Sequence, residues 1–366
     1  MSRPGAAASW LRMQLRAAAI VALVLEVPLL GRLARLLTAT PQLERDESVA
    51  GVPTTIARPS RGGPWPTLIF LNGVTARGRA HPSVVRLAET LARLGFVVLV
   101  PDLPGLARGE LTEATLAATI DVVVASLERS EVRGRRAGLV GVSIGVSLGL
   151  AAAEQPGLAE RVTVVAGIAP YVDFASVVRL ATTGFTLERG QPVRYTPPPF
   201  MGLVVARSLI AGLPASEARR RLLDELLLVP DDDPDPLALL RRLGEEQLAP
   251  DTAAVVALCA NRNLEQFDRL YAALPGSLRA GVERLSPLAG AAALLAPVEL
   301  ATAPHDTYLP LSEMRALASK AANTHVRLTL TSALDHAVPS FSLASLGGLV
   351  RFDGWVVRVL QAAARR

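Results

Sequence analysis

The stretch Leu139–Pro156, LVGVSIGVSLGLAAAEQP, contains the pattern Gly-x-Ser-x-Gly twice, in overlapping copies. The first copy is centred on Ser143 and the second on Ser147. This pattern is typical of a sharp turn that ends a buried strand, begins a helix and exposes the serine hydroxyl. Only one of the two serines can occupy such a turn, so the flanking sequence has to decide between them.

Strand and helix lengths favour Ser143 as the turn residue. With Ser143 at the turn, the strand covers residues 137–142 and the helix covers residues 144–155, both close to ordinary lengths. With Ser147 at the turn, the strand has to include two internal glycines, which weaken strands, and the helix shrinks to about eight residues. The lengths therefore predict Ser143 as the nucleophile and Ser147 as a small residue one turn along the same helix.

Short apolar segments that alternate with amphipathic helices surround this motif. PTLIFLNG, FVVLVPD, AGLVGV and RVTVVAGIAP are apolar runs of strand length, and the segment from Pro82 to Leu94 has apolar residues at helical spacing. Strands that are apolar on both faces are typical of a parallel sheet covered on both sides. The sequence therefore predicts an α/β fold with a mostly parallel sheet flanked by helices.

The alternation breaks after residue 171 and resumes near residue 288, which divides the chain into four segments. We expect an N-terminal apolar or amphipathic segment at 1–45, the first part of the α/β core at 46–171, a mostly helical insertion at 172–287 and the rest of the core at 288–366. The strand patterns APVELATA and HVRLTLTS follow the insertion, which therefore precedes the last two strands. Because ligands bind beyond the carboxyl ends of strands in such sheets, we expect the insertion to form a cap over the site.

A serine nucleophile needs a base, and the base needs an acid that orients it. Of the four histidines in the chain, only His336 follows the last predicted strand, where it can reach back over the strand ends. Asp306 follows the preceding strand and is the predicted acid, while Asp173, after an earlier strand, is the competing candidate. We therefore predict a catalytic triad of Ser143, Asp306 and His336, with Asp173 kept open as the alternative acid.

These motifs resemble those of the α/β-hydrolase superfamily. The similar segments are LIFLNGVTARG, GFVVLVPDLPG, GLVGVSIGVS, PVELATAPHDTYLP and SALDHAVP, spread over most of the chain outside the N-terminus and the insertion. The resemblance implies that Asp306, which opens a D-x-x-x-P segment, is the triad acid. It also implies an oxyanion hole formed by the backbone N–H groups of Ile144 and Val74. Many members read His-Gly where this chain has Asn72 and Gly73.

Composition limits the classes of partner. Half of the 366 residues are apolar, the formal net charge is +5, and the arginines are scattered, so we expect no nucleic-acid partner. The lone Cys259 excludes an intrachain disulfide and a cysteine-based zinc site. We expect neither a cofactor nor a metal ion, and the oligomeric state is left open.

The N-terminal segment 1–45 is the main indication of a membrane. Arginines precede an apolar run of about 14 residues at 17–30, shorter than the roughly 20 residues of a full span. Three structures fit this run: an uncleaved membrane-proximal anchor, an export signal, or a helix packed on the body of the protein. We favour association with a membrane surface over a cytoplasmic location.

Together the motifs predict a carboxylesterase or lipase-like serine hydrolase. It would cleave an ester or related acyl bond through an acyl-enzyme. We expect the substrate to be a hydrophobic small molecule, because the predicted cap and the N-terminal segment are apolar. Two alternatives remain open: an acyltransferase that uses the same triad and excludes water, and a non-catalytic membrane-associated scaffold that retains the fold.

Overall fold

A computed structural model of the chain describes residues 40–243, 248–336, 338–339 and 346–365. Its main sheet has eight strands: β1 (Gln42–Val49), β2 (Val52–Arg58), β3 (Trp65–Leu71), β4 (Val97–Pro101), β5 (Val132–Val142), β6 (Val162–Ile168), β7 (Val298–Thr302) and β8 (Val326–Leu330). Their order across the sheet is β1-β2-β4-β3-β5-β6-β7-β8. Strand β5, which leads into the Gly-x-Ser-x-Gly motifs, therefore lies near the middle of the sheet.

Six neighbouring strands, from β4 across to β8, run parallel, and β1 and β2 add an antiparallel edge. This confirms the predicted fold class, a mostly parallel sheet flanked by helices. The edge strand β1 begins ahead of the boundary predicted at residue 46. Its sequence, QLERDESV, is largely polar, which suits a strand that has a strand neighbour on one side only and exposes four of its eight residues.

Helices cover the sheet and fill the connection between β6 and β7. The first three are α1 (Pro82–Arg93), α2 (Glu113–Leu127) and α3 (Ile144–Ala153). The connection contains α4 (Phe174–Thr183), α5 (Pro199–Ala211), α6 (Glu217–Leu227), α7 (Ala238–Leu243), α8 (Pro250–Ala260), α9 (Leu264–Ala272), α10 (Gly276–Arg284) and α11 (Pro287–Gly290). Helix α12 (Leu311–Lys320) joins β7 to β8, and α13 (Leu346–Ala363) follows the last strand of the sheet.

Alternate residues of the central strands pack against helices on opposite faces of the sheet. On one face, Ile69 and Leu139 belong to a buried cluster that includes residues of α2 and α3. On the other face, Leu68 and Val164 belong to a second cluster that includes residues of α1 and α13. Because side chains alternate along a strand, each strand contributes to both clusters. The central strands are consequently apolar on both faces, which made them visible in the sequence.

We call the residues between β6 and β7 the insertion. It lies before the last two strands of the sheet, as predicted, and it also contains a short hairpin, Phe185–Glu188 with Gln191–Arg194, that the sequence did not reveal. The hairpin turns at Arg189 and Gly190, whose φ angles of 51° and 79° suit a two-residue turn. A two-residue strand pair, Leu334–Asp335 with Val338–Pro339, flanks the position of His336.

No helix in the described ranges is long and apolar enough to cross a bilayer. The apolar run at 17–30, on which the expectation of membrane association rests, lies outside the described residues. The same holds for nearly all of the predicted N-terminal segment 1–45, because the described chain begins at residue 40.

Candidate active site

Ser143 lies at a strained turn where β5 ends and α3 begins. Its φ and ψ angles are 51° and −126°, outside the regions that ordinary residues favour, and its backbone N–H donates to Ile168 O at 2.8 Å. A Cβ on Gly141 would lie 2.7 Å from Leu71 O, and a Cβ on Gly145 would lie 2.1 Å from the same atom. Neither position has room for a side chain, which explains the glycines on both sides of the serine.

Ser147 lies one turn further along α3 and is enclosed. It is 1% exposed, and its Oγ donates to Tyr171 O at 2.7 Å. The Tyr171 hydroxyl in turn donates to Leu285 O, near the end of the insertion, at 2.9 Å. Ser147 therefore joins α3 to the start of the insertion and does not line the cavity that borders Ser143.

His336 and Asp306 form a hydrogen-bonded pair beyond the ends of β8 and β7. His336 Nδ1 lies 2.9 Å from both carboxylate oxygens of Asp306. The carboxylate also accepts from Thr302 Oγ1 at 3.2 Å and from the backbone N–H groups of Tyr308 and Leu309 at 2.8 and 3.0 Å. Burial raises the pKa of Asp306, but the hydrogen bond and charge of His336 together with the two N–H groups outweigh burial. The pKa of Asp306 therefore lies below its ordinary value.

Two tyrosines that sequence reasoning did not single out support this pair. The rings of Tyr308 and His336 stack, with centroids 4.0 Å apart and planes at 21°. Tyr195, which follows the hairpin in the insertion, donates its hydroxyl to the backbone oxygen of Asp306 at 2.7 Å. Tyr308 could have been noticed as an aromatic residue two positions after the predicted acid. Tyr195 gave no signal, because it is 111 residues away from Asp306 in the chain.

The remaining candidates occupy other environments. Asp173, the alternative acid, caps α4 by accepting a hydrogen bond from a backbone N–H at 3.0 Å. His305 and His325 are exposed. His81 caps α1 through its ring nitrogen and lines the cavity that borders Ser143. Among the predicted bases and acids, the structure thus brings His336 and Asp306 together and leaves Asp173 with a capping role.

The expected oxyanion-hole residues, Ile144 and Val74, both border the cavity beside Ser143. Ile144 is the first residue of α3, directly after the turn. The loop that carries Val74 comes close to the turn, because a Cβ on Gly73 would lie 3.4 Å from Ser143 Cβ. The preceding residue, Asn72, is 6% exposed, and its Nδ2 has no hydrogen-bond partner within the described part of the chain.

Ser143 and His336 line one cavity of about 560 Å³, a size that suits a small organic molecule. Two apolar regions form most of its wall. The insertion side consists of Tyr171, Phe174, Val177, Phe200, Met201, Val204 and Val205. The sheet side is formed by strands β3, β5 and β6 and by helices α1 and α13, through Leu68, Phe70, Val140, Val142, Ile168, Val84, Leu87, Leu91, Phe352, Trp355, Val356, Val359 and Leu360.

No protein-family model matches the sequence, and a search of curated proteins finds no match. Among solved structures, an acylaminoacyl peptidase in complex with Z-Gly-Gly-Phe-chloromethyl ketone gives a TM-score of 0.51 at 13% identity, over 92% of this chain and 43% of that one. Dipeptidyl peptidase 4 of Porphyromonas gingivalis gives a TM-score of 0.49 at 13% identity, over 90% of this chain and 37% of that one. A meta-cleavage product hydrolase from Pseudomonas fluorescens gives a TM-score of 0.43 at 18% identity, over 90% of this chain and 99% of that one.

The sheet order, the turn at Ser143 and the likeness to the acylaminoacyl peptidase identify the fold as the α/β-hydrolase fold. This agrees with the resemblance seen in the sequence motifs. The chain spans less than half the length of the two peptidases. Because one fold hosts many reactions, the chemistry has to be argued from the residues of the site.

Proposed function

We propose that this protein is a serine hydrolase that cleaves esters of hydrophobic small molecules. Ser143 is the nucleophile, His336 the general base and Asp306 the acid that orients the base. The observation that carries the proposal is the 2.9 Å contact between His336 Nδ1 and the buried Asp306, at a cavity that Ser143 also lines. A serine on a strained turn, a histidine and its carboxylate at one cavity are the groups that acyl transfer requires.

The first half of the reaction forms an acyl-enzyme. Because Asp306 holds the hydrogen on Nδ1, His336 accepts the Ser143 hydroxyl proton at Nε2 while Oγ bonds to the ester carbonyl carbon. The carbonyl electrons move to oxygen, and the backbone N–H groups of Ile144 and Val74 bind that oxyanion. One such donor typically contributes about 3 kcal/mol to transition-state stabilisation. The tetrahedral intermediate then expels the alcohol, which takes the proton from His336 Nε2.

The second half returns the enzyme to its starting state. Water gives a proton to His336 Nε2 and attacks the acyl carbon, and the second tetrahedral intermediate releases the carboxylic acid as Ser143 regains its proton. The low pKa of Asp306 supports this cycle, because an ionised carboxylate stabilises the imidazolium formed in each half. The apolar wall of the cavity supports a hydrophobic substrate.

The test is hydrolysis of p-nitrophenyl butanoate and labelling by a fluorophosphonate probe, with the native chain and two variants. Ser143→Ala is expected to lower kcat about 10⁴-fold or more and to abolish labelling. Ser147→Ala is the matched control, since it removes a hydroxyl from the same helix, and it is expected to retain labelling. Labelling that persists in Ser143→Ala contradicts the proposal, as does a folded native chain that neither hydrolyses the ester nor labels.

The same assay with added alcohols separates hydrolysis from the acyltransferase alternative. A hydrolase releases mainly the carboxylic acid at low alcohol concentration, whereas an acyltransferase transfers the acyl group to the alcohol in preference to water. Product analysis by mass spectrometry measures this partition. If the acyl group is transferred mainly to the alcohol, the proposed triad stands, but the protein is an acyltransferase and not a hydrolase.

A further inference from the structure

Some side chains in the middle of the sheet are partly exposed although helices cover that face. Val140 and Val142 of β5 and Ile168 of β6 are only half-buried. Val164 and Ala166, on the same face of β6, are both 0% exposed. All of these residues belong to or pack against the cluster covered by α1 and α13. The half-buried side chains therefore face an internal space, and they are among the residues that line the cavity.

This space is the sheet-side part of the cavity, and we call it the chain channel. Its floor is formed by β3 and β5, where Phe70 pairs with Val140 and Leu68 pairs with Gly138. Its sides are formed by α1 and α13, through Val84, Leu87, Leu91, Trp355, Val356, Val359 and Leu360. The described residues of this part of the wall are apolar, apart from Ser83 at the start of α1 and the indole nitrogen of Trp355, which donates to Glu299 O.

The chain channel closes at the level of Gly138. A Cβ on Gly138 would lie 2.9 Å from Leu68 Cδ2, 2.9 Å from Val164 Cγ1 and 3.4 Å from Ala363 Cβ. Strands and α13 are thus in tight contact there. Gly138 lies on β5, five residues before Ser143, and five residues of strand correspond to roughly 16 Å. The channel therefore runs back from the nucleophile along β5 for about that distance and then ends.

We propose that the chain channel binds an unbranched alkyl chain of the substrate and that its closed end limits the length of that chain. The inference rests on the proposed function, because the chain has to belong to an ester that reacts at Ser143. Each methylene that leaves water for this apolar wall favours binding, whereas a polar group held against the apolar residues of β3, β5 and α13 would be desolvated there without a hydrogen-bond partner. Once the chain reaches the tight contact around Gly138, further methylenes have no space to enter.

Two ester series test which part of the substrate carries the chain. In p-nitrophenyl esters of acetic to hexadecanoic acid the chain is on the acyl side, and in acetates of ethanol to dodecanol it is on the alcohol side. We expect kcat/KM of the native chain to rise with chain length in one series and to fall beyond the length that fills the channel. The absorbance of released p-nitrophenol measures the rates in the first series, and a pH indicator that reports the released acid measures them in the second.

Two variants obstruct the channel from different walls. Val140→Phe fills it from β5 and Leu87→Trp fills it from α1. In each variant we expect the ratio of kcat/KM for the dodecyl member to that for the shortest member to fall about tenfold or more, the usual effect of a mismatch in an apolar pocket. Val124→Phe is the matched control, because Val124 is 42% exposed on α2, which belongs to the cluster on the opposite face, and its profile should equal the native one.

The outcomes separate the two proposals. Chain-length profiles that stay native in both variants and both series overturn the chain channel and leave the hydrolase assignment in place. A folded native chain that hydrolyses no ester and takes no fluorophosphonate label overturns the proposed function, and the channel with it. If Val140→Phe fails to fold, as judged by circular dichroism, Leu87→Trp decides the question alone.

Discussion

Ser143 and Ser147 occupy the same five-residue pattern, yet the fold gives them opposite environments. Ser143 has a φ angle of 51° and lines the cavity, whereas Ser147 lies inside α3, is 1% exposed and donates its hydroxyl hydrogen to Tyr171 O after β6. The pattern itself does not distinguish them. The difference arises because β5 ends at Val142, so that the next residue makes the turn and the residue four positions later lies in the helix. A nucleophile motif thus gains its meaning from the element boundary on which it falls.

The largest effect is expected when the histidine proposed to activate Ser143 loses its carboxylate partner, Asp306. Asp306→Asn preserves the size of the side chain, but an amide does not hold His336 in the tautomer that accepts the serine proton, so kcat should fall about 10⁴-fold. Hydrolysis of p-nitrophenyl butanoate measures the change. Asp173→Asn is the control, because the Asp173 side chain caps α4 and does not line the cavity beside Ser143, so activity should stay close to native. Comparable losses in the two variants would refute Asp306 as the acid.

A smaller effect, on both activity and stability, is expected from substitution of Gly145, the glycine that the two copies of the motif share. A Cβ on Gly145 would lie 2.1 Å from the backbone oxygen of Leu71, whereas a Cβ on Gly149 would lie 3.2 Å from the end of the Leu71 side chain. Gly145→Ala should therefore displace the turn, with a loss in kcat/KM of about 100-fold and of about 1–3 kcal/mol in the free energy of unfolding.

Gly149→Ala is the matched control for this prediction. A methyl group there meets a flexible side chain, and alanine is the better helix former by about 1 kcal/mol, so stability and activity should change little. Steady-state kinetics and urea unfolding measure both variants. If Gly149→Ala were the damaging substitution, the turn would have to be assigned to the second copy of the motif.

Local patterns in the sequence were sufficient for the fold class and for the surroundings of the turn. The predicted strand 137–142 and helix 144–155 correspond to Val132–Val142 and Ile144–Ala153. The strand begins five residues earlier than predicted, at Val132. The sequence pattern missed this first part because Gly134 and Arg135, with φ angles of 66° and 53°, interrupt the regular alternation of the strand. Such a distortion is decided by neighbouring strands, so no local period reveals it.

Features that depend on distant contacts could not be predicted. The hairpin before Tyr195 and the hydrogen bond from Tyr195 to Asp306 O join segments far apart in the chain. The chain channel depends on how far apart α1 and α13 lie over β3 and β5, and no spacing of apolar residues encodes that distance. The assignments of Ser143, Asp306 and His336 remain predictions that the kinetic tests decide.

The smallest effect is expected from Ser147→Ala, and it appears in stability only. The substitution removes a buried hydrogen bond and leaves Tyr171 O without its donor, which should lower the free energy of unfolding by about 1–2 kcal/mol. Ser126→Ala on α2 is the control: Ser126 is 0% exposed, and its Oγ has no hydrogen-bond partner among the described residues, so its removal should be nearly neutral. Urea unfolding of both variants measures the difference. Equal stabilities would mean that the bond to Tyr171 contributes nothing, and a loss of ester hydrolysis in Ser147→Ala would remove the distinction between the two serines.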